Sequence, residues 1–259
     1  MAQRSDRAAA MAGGVYVYGI CRRRERAAPP SEGIGGADVD FLPHRDLAAI
    51  VTDVAGGRIR ATRRDLIRHS NVLAAIFEGG QVLPLRFGTV YPDGAAVVDG
   101  LLEARYEELD DLLDALRGKV ELNVKAFYEE EAVLAEVVAG DPRIARLREA
   151  TIGKPAAATH ALRLDLGQAV AQALDARRAA DADAIIRRLH PLAESIVVDD
   201  QEVENLVVKA ALLVERDVLD AVDGAMDDIA REQAGRINFK YVGPLPPHSF
   251  VALDLREPA

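Results

Sequence analysis

The sequence predicts an α+β protein, with helices packed on one face of mainly antiparallel sheets. Three observations lead there. Short runs that alternate apolar and polar residues occur in 14–127 and again in 192–259. Helical patterns sit between those runs. A purely helical block, 128–191, separates the two strand-bearing regions. The expected organisation is a disordered N-terminus (1–13), an N-terminal α+β domain (14–127) and a C-terminal domain (128–259). The last comprises the helical segment 128–191 and an α+β segment 192–259.

The elements follow in order. VYVYGI, Val15–Ile20, alternates β-branched and aromatic residues and reads as a strand. A loop rich in glycine and proline runs on to Gly36, and Leu47–Val54 is the next strand. From Thr62 to Glu78 the spacing of Leu66, Ile67, Val72, Leu73, Ile76 and Phe77 is helical, and Gly79-Gly80 ends it. Gln81–Tyr91 is a strand interrupted by Pro84 and Gly88, and a proline there marks an edge, a start or a bulge. Ala95–Arg117 reads as one long helix with Leu102, Tyr106, Leu109, Leu113 and Leu116 in a narrow apolar stripe. Lys119–Phe127 alternates, with Val120, Leu122, Val124 and Ala126 on one face and Glu121, Asn123 and Lys125 on the other.

The helical block opens with Tyr128–Gly140. Asp141 then caps a helix whose first turn holds Pro142. After Pro155 an alanine-rich helix runs to about Asp181, and Ala182–His190 is a further helical piece stopped by Pro191. Strand patterns return at Glu194–Asp199 and Asn205–Val214. An amphipathic helix, Glu215–Glu232, and two strands, Arg236–Gly243 and His248–Leu255, complete the chain.

Composition narrows the function. Hydrophobic residues make up 49% of the 259, enough for a core. No apolar run reaches the ~18 residues of a membrane span, and the N-terminus lacks the apolar stretch of a secretory signal. Cys21 is the lone cysteine, so no internal disulfide forms, which suits a cytoplasmic protein. The net charge of −10 resides mostly in 127–259, which holds 15 Lys and Arg against 24 Asp and Glu. Such a surface repels phosphate and argues against nucleic acid. The basic run Arg22–Arg26 is short, has no aromatic residues within it, and reads as a solvated loop.

The chemistry-bearing patterns are few. His44, His69, His160, His190 and His248 are dispersed and read as loop or surface residues. There is no His-Glu-x-x-His, Cys-x-x-Cys or Gly-x-Ser-x-Gly. GIGGAD, Gly33–Asp38, fails the spacing of a dinucleotide fingerprint, and Asp199–Glu204 lacks that of a calcium loop. The expectation is therefore no catalytic residue, no metal and no cofactor. Arg86, between apolar residues beside Gly88, has two readings: an outward residue paired with a carboxylate of its own chain, or an arginine held at a sheet edge for a partner's carboxylate.

Four segments, taken together and in this order, resemble the gas vesicle GvpL/GvpF family: GVYVYGI (Gly14–Ile20), QVLPLRFGTVY (Gln81–Tyr91), VELNVKAF (Val120–Phe127) and YVGPLPPHSFV (Tyr241–Val251). The sequence keeps Gly243, Pro244, Pro246, Pro247, Ser249 and Phe250 of the last segment. It has Leu245 and His248 where aromatic residues are common in the family. The resemblance implies two domains with ferredoxin-like, mainly antiparallel sheets and a helical insertion between them. It implies a non-enzymatic accessory protein of gas vesicle assembly, with the hydrophobic shell protein and other vesicle accessory proteins as partners. The alternative is a small-molecule-binding or oxygenase-type enzyme on ferredoxin-like domains.

Two surfaces suit a partner: the Pro84–Val90 strand, with Arg86, Phe87 and Gly88 as its contact residues, and the alanine-rich helix Ala156–Ala180. The proline segment has no nucleophile–base pair suitably placed. It reads as a rigid corner in which Gly243 takes an unusual backbone angle, the prolines fix the turn, and Phe250 anchors the returning strand.

Overall fold

The structure, a computed structural model, describes residues 13–24, 32–56, 59–199 and 203–251. Most of the expected disordered N-terminus, the end of the basic run and the second half of the expected last strand lie outside these residues. The fold is α+β, with helices accompanying two antiparallel sheets. By internal contacts the chain forms two compact units. One takes in residues up to Glu121 and again from Pro244 on; the other is Leu122–Gly243.

The first unit is organised by β1 (Gly14–Arg22), whose residues are buried on both faces as far as Cys21. β3 (Leu47–Val54) pairs along it antiparallel, from Gly14 opposite Val54 to Arg22 opposite Leu47. β4 (Val82–Pro84) and β5 (Val90–Tyr91) share its other edge. β2 (Asp40–His44) lies outside β3. The sequence pattern does not mark β2, because it contains Pro43 and joins β3 through Arg45-Asp46 rather than an Asn-Gly turn. Pro43 is tolerated because β2 is an edge strand, and Arg45 supplies the positive φ, 52°.

Helix α1 (Arg63–Gly79) starts at a reciprocal cap: the Asp65 N–H donates to Thr62 Oγ1 at 3.1 Å, and that hydroxyl donates to Asp65 Oδ2 at 2.7 Å. Its buried face is His69, Val72, Leu73, Ile76 and Phe77. Leu66 and Ile67, expected on that face, are exposed by 44% and 50%.

The expected long helix Ala95–Arg117 is broken. An α-turn, α2 (Gly94–Val97), leads into a π-helical stretch (Val98–Glu103), and α3 (Tyr106–Ala115) follows. The wider π turn lets the adjacent Leu101 and Leu102 both be buried completely, which a regular helix surface resists. Arg22, expected in a solvated loop, instead ends β1 and is ion-paired with Asp110 and Asp114 of α3.

The second unit carries the other sheet, in the order β7 (Ser195–Val198), β8 (Leu206–Glu215), β6 (Lys119–Tyr128), β9 (Ile237–Leu245). Hydrogen bonds from Tyr128 N to Asn205 O (2.8 Å) and from Glu129 N to Arg236 O (2.9 Å) tie the end of β6 to the starts of β8 and β9. Helices α4 (Glu130–Gly140) and α5 (Pro142–Thr151) pack with α6 (Ala156–Leu189) around Val137, Ile144 and Ala169. α7 (Leu219–Glu232) buries Val222, Met226 and Ile229.

The expected break in the helix after Asp181 is absent; α6 runs 34 residues, roughly 51 Å at 1.5 Å each. No Gly or Pro interrupts 168–189, and the Asp181 carboxylate is engaged outside the helix. It accepts from Tyr128 Oη at 2.6 Å and is ion-paired with Arg236. Arg236 also bonds both oxygens of Glu136, at 2.8 and 2.9 Å. Burial opposes the guanidinium charge, but the two carboxylates outweigh it and raise the Arg236 pKa.

Gly19 marks the closest approach in the first sheet. A Cβ there would lie 2.5 Å from the Leu83 carbonyl oxygen and 3.0 Å from Leu73 Cδ2. Gly19→Ala is therefore expected to cost about 2 kcal/mol, since the strand must move off β4. Urea unfolding measures it, and an unchanged midpoint would contradict the packing described.

Candidate functional site

The site grows from the β1 alternation. Tyr16 and Tyr18 project from one face of the strand with ring centroids 4.8 Å apart. His69 of α1 stacks on Tyr18 at 5.6 Å and meets Tyr16 edge-on at 5.8 Å. Phe87 closes the cluster, edge-on to Tyr16 at 5.9 Å and to His69 at 5.7 Å.

The polar atoms of this cluster bind the segment between β4 and β5. Leu85 N–H donates to the Tyr18 carbonyl at 2.8 Å, and Val17 N–H to the Thr89 carbonyl at 3.0 Å. Gly88 N–H donates to Tyr16 Oη at 3.3 Å, and Tyr16 Oη lies 2.7 Å from His69 Nδ1. With the imidazole neutral and Nδ1 facing the phenol, Tyr16 donates to His69 Nδ1, and the Leu85 backbone lies close enough to act on the ring's charge. The Arg86 carbonyl accepts from both Thr89 N–H (3.3 Å) and Thr89 Oγ1 (2.8 Å).

The expected Pro84–Val90 strand is thus two short edge strands joined by a clamped turn. Gly88 supplies its left-handed residue, φ 95°. Phe87 is half-buried and Arg86 is exposed, and the Arg86 guanidinium has no hydrogen bond or ion pair with another described residue.

Tyr18 performs the same service for GIGGAD. Its hydroxyl accepts from Ile34 N–H at 2.7 Å and donates to Thr52 Oγ1 at 3.0 Å; that hydroxyl in turn reaches the Asp38 carbonyl at 2.9 Å. Burial pushes the Tyr18 phenol up, and Tyr16 likewise. Burial also drives the His69 imidazole down to about 4; the charge of His248 acts in the same direction, and the nearby Leu85 backbone opposes both.

The proline segment reaches the same unit. β9 runs through Gly243 and Pro244, and Gly243 does not take a positive φ, contrary to expectation. The corner lies at Pro247, an inverse γ-turn with φ −76° and ψ 63°, closed by His248 N–H on the Pro246 carbonyl at 2.8 Å. Pro246 and Pro247 are buried, whereas Phe250, the expected anchor, is half-buried. His248–Phe250 is a 3-10 turn, not the start of a strand. The anchor is Ser249. Its N–H donates to Glu121 Oε2 at 2.6 Å and its hydroxyl to Glu121 Oε1 at 3.0 Å.

Glu121, on the polar face of β6 by alternation, is only 2% exposed. Its burial is compensated by these charge-assisted bonds, which outweigh its alternation-based placement. His69, expected at the surface, is 5% exposed. Its signal was present: positions 69, 72, 73 and 76 follow the i, i+3, i+4, i+7 rule of a helix face. Glu121 had none, because its partner lies 128 residues away.

Among the described residues no group of three or more His, Cys, Asp or Glu is placed to hold a metal ion, and no helix is long and apolar enough to cross a membrane. The alanine-rich part of α6 turns Leu166, Ala169, Val170, Ala173 and Leu174 toward α4 and α5.

Comparison with known proteins decides the family. The model of the gas vesicle synthesis protein GvpL/GvpF family matches residues 14–252. The chain belongs to this family. It is 41% identical to gas vesicle protein F of Streptomyces sp. (strain CB03234), over 91% of this chain and 98% of that protein. It is 25% identical to gas vesicle protein F of Dolichospermum flosaquae, over 93% and 98%. The fold matches the crystal structures of GvpF from Anabaena sp. PCC7120 (TM-score 0.74, 23% identity, 92% of this chain and 95% of that one) and from Microcystis aeruginosa (TM-score 0.73, 22% identity, 92% and 98%). The four segments that resemble the GvpL/GvpF family are thus placed in one fold. Three of them, with His69, meet in the first unit through Tyr16, Tyr18, Leu85, Gly88, His248 and Ser249. The fourth supplies Glu121.

The buried imidazole sets a pH dependence. The folded-state pKa of His69 lies below the ordinary 6.5, so the unfolded chain binds the extra proton as pH falls from about 6.5 to about 4. Stability is lost across that window, on the order of 3 kcal/mol. His69→Gln removes this contribution. The difference between the two proteins' urea-unfolding free energies is expected to change between pH 7 and pH 4.5 and to be flat above pH 7.5. A difference independent of pH would contradict a neutral, buried His69.

Proposed function

We propose that the chain acts in gas vesicle assembly by binding the hydrophobic shell protein and other vesicle proteins, with the Arg86-Phe87-Gly88 turn as a contact. The observation that carries this is the state of Arg86. It is exposed and unpaired with any described residue, yet it stands on a turn whose backbone is fixed from the core. A guanidinium offers a planar fork of donors suited to a carboxylate. Fixing its backbone in advance lowers the entropy cost of binding. Phe87, half-buried beside it, adds an apolar edge.

The reading is of a binding protein rather than an enzyme, located in the cytoplasm and on gas vesicles, without a cofactor. Pro246 and Pro247 serve it as a structural corner, with Gly243 and Pro244 in the strand that leads into it and Phe250 in the turn that follows. We further infer two domains, the second ferredoxin-like. Its support is the order β6, α6, β7, β8, α7, β9 in a sheet ordered β7-β8-β6-β9, with α4 and α5 as the helical insertion.

Co-expression with the major shell protein and pull-down tests the contact. Arg86→Glu is expected to abolish capture and to leave the melting temperature within a few degrees, since an exposed, unpaired side chain carries little stability. Capture at the level of the unaltered chain would remove Arg86 from the contact.

A further inference from the structure

We propose that Tyr16 and His69 are positioning residues for this contact, setting from within the core the geometry in which Arg86 and Phe87 meet a partner. The inference rests on the reading of Arg86 as a contact.

β4 and β5 have three and two residues, so the strands alone hold the intervening turn weakly. Within the turn, Thr89 closes on Arg86 and is itself tied to β1 by the Val17 amide, which anchors the far end of the turn but not the Gly88 peptide. The bonds that fix the Arg86–Phe87 peptide relative to the sheet flank it on both sides. Leu85 is held by the Tyr18 carbonyl, Thr89 by the Val17 amide, and Gly88 by Tyr16, whose hydroxyl His69 in turn holds at 2.7 Å. Phe87 lies edge-on to both rings, which couples the side chain beside Arg86 to the same pair.

The clamp requires a neutral imidazole. Protonated His69 would carry a hydrogen on Nδ1 and donate to Tyr16 Oη. That oxygen already receives Gly88 N–H, and the tyrosine's own proton would lose its partner in a buried site. The groups around the ring oppose that state or are neutral. Tyr16 and Tyr18 face it from β1, Leu85 and Phe87 from the turn, and His248 from the C-terminal segment. Asp65 and Arg68 of α1 act on the tyrosines, and Glu121 acts on His248.

Tyr16→Phe removes one oxygen and keeps the ring. Tyr18→Phe is its matched control, because it frees the Ile34 end of GIGGAD and leaves the Gly88 bond intact. Hydrogen exchange by mass spectrometry on the full chain is the readout, paired with shell-protein capture. In Tyr16→Phe, amides of 85–89 are expected to exchange about tenfold faster with the β1–β3 amides unchanged, and capture to fall about fivefold or more. In Tyr18→Phe the faster exchange is expected at 33–38, with capture retained. His69→Gln is expected to follow Tyr16→Phe. Unchanged exchange at 85–89 in both Tyr16→Phe and His69→Gln overturns the positioning role, whatever capture does. Faster exchange with full capture overturns it as well. If Arg86→Glu also captures normally, the failure lies in the contact reading rather than in the clamp.

Discussion

A buried hydrogen bond between Tyr16 and His69 is the constraint on which the first unit turns. Burying a phenol and an imidazole is costly unless every polar atom finds a partner. Their partners here are largely backbone groups of loops, so satisfying the side chains fixes the loops. Tyr16 takes the Gly88 amide, His69 the Tyr16 hydroxyl, and Tyr18 the Ile34 amide. Glu121 applies the same rule to the proline segment through Ser249. The network acts as a set. Removing one member leaves another buried and unpaired, so deletions are expected to be non-additive.

Much of this fold was legible in the sequence because it rests on local periodicity. The tyrosine strand, the Thr62-capped helix, the Asp141-Pro142 helix start and the apolar β8 all follow from spacing and caps. What escaped was set by distant partners. β2 exists because β3 offers it an edge, despite Pro43. The break in Ala95–Arg117 arises where adjacent leucines both need burial. α6 continues past Asp181 because no Gly or Pro follows until Pro191, and Arg236 and Tyr128 meet the Asp181 carboxylate on its side. Of the candidate site, Arg86 and Gly88 could be singled out from composition alone, but the residues that hold them could not. His69 was hidden by treating histidine as a surface residue, although it sits in register with Val72, Leu73 and Ile76. Glu121 was hidden because alternation assigns a face without saying what covers it.

The second unit shows the same logic with charges. Arg236 is largely buried, which is tolerable only because Asp181 and Glu136 meet it, with Tyr128 completing the set. This network ties β6, α4, α6 and the residue preceding β9, and so orders the helical insertion against its own sheet. Exposed apolar residues stand elsewhere on the surface as well, Val197 and Val198 of β7, Leu164 of α6 and Val242 of β9 among them. The clamped turn differs in offering a preorganised cation beside an aromatic edge.

The central claim is that the turn held by Tyr16 and His69 is a face the chain presents to the gas vesicle. Hydroxyl-radical labelling of Phe87, followed by mass spectrometry, tests it most directly when the free chain is compared with the chain bound to purified vesicles. The account predicts that Phe87 labelling falls at least about threefold on association, with Leu66 and Ile67 on the neighbouring helix reporting how far the contact spreads. Equal labelling of Phe87 in the free and vesicle-bound chain would contradict it.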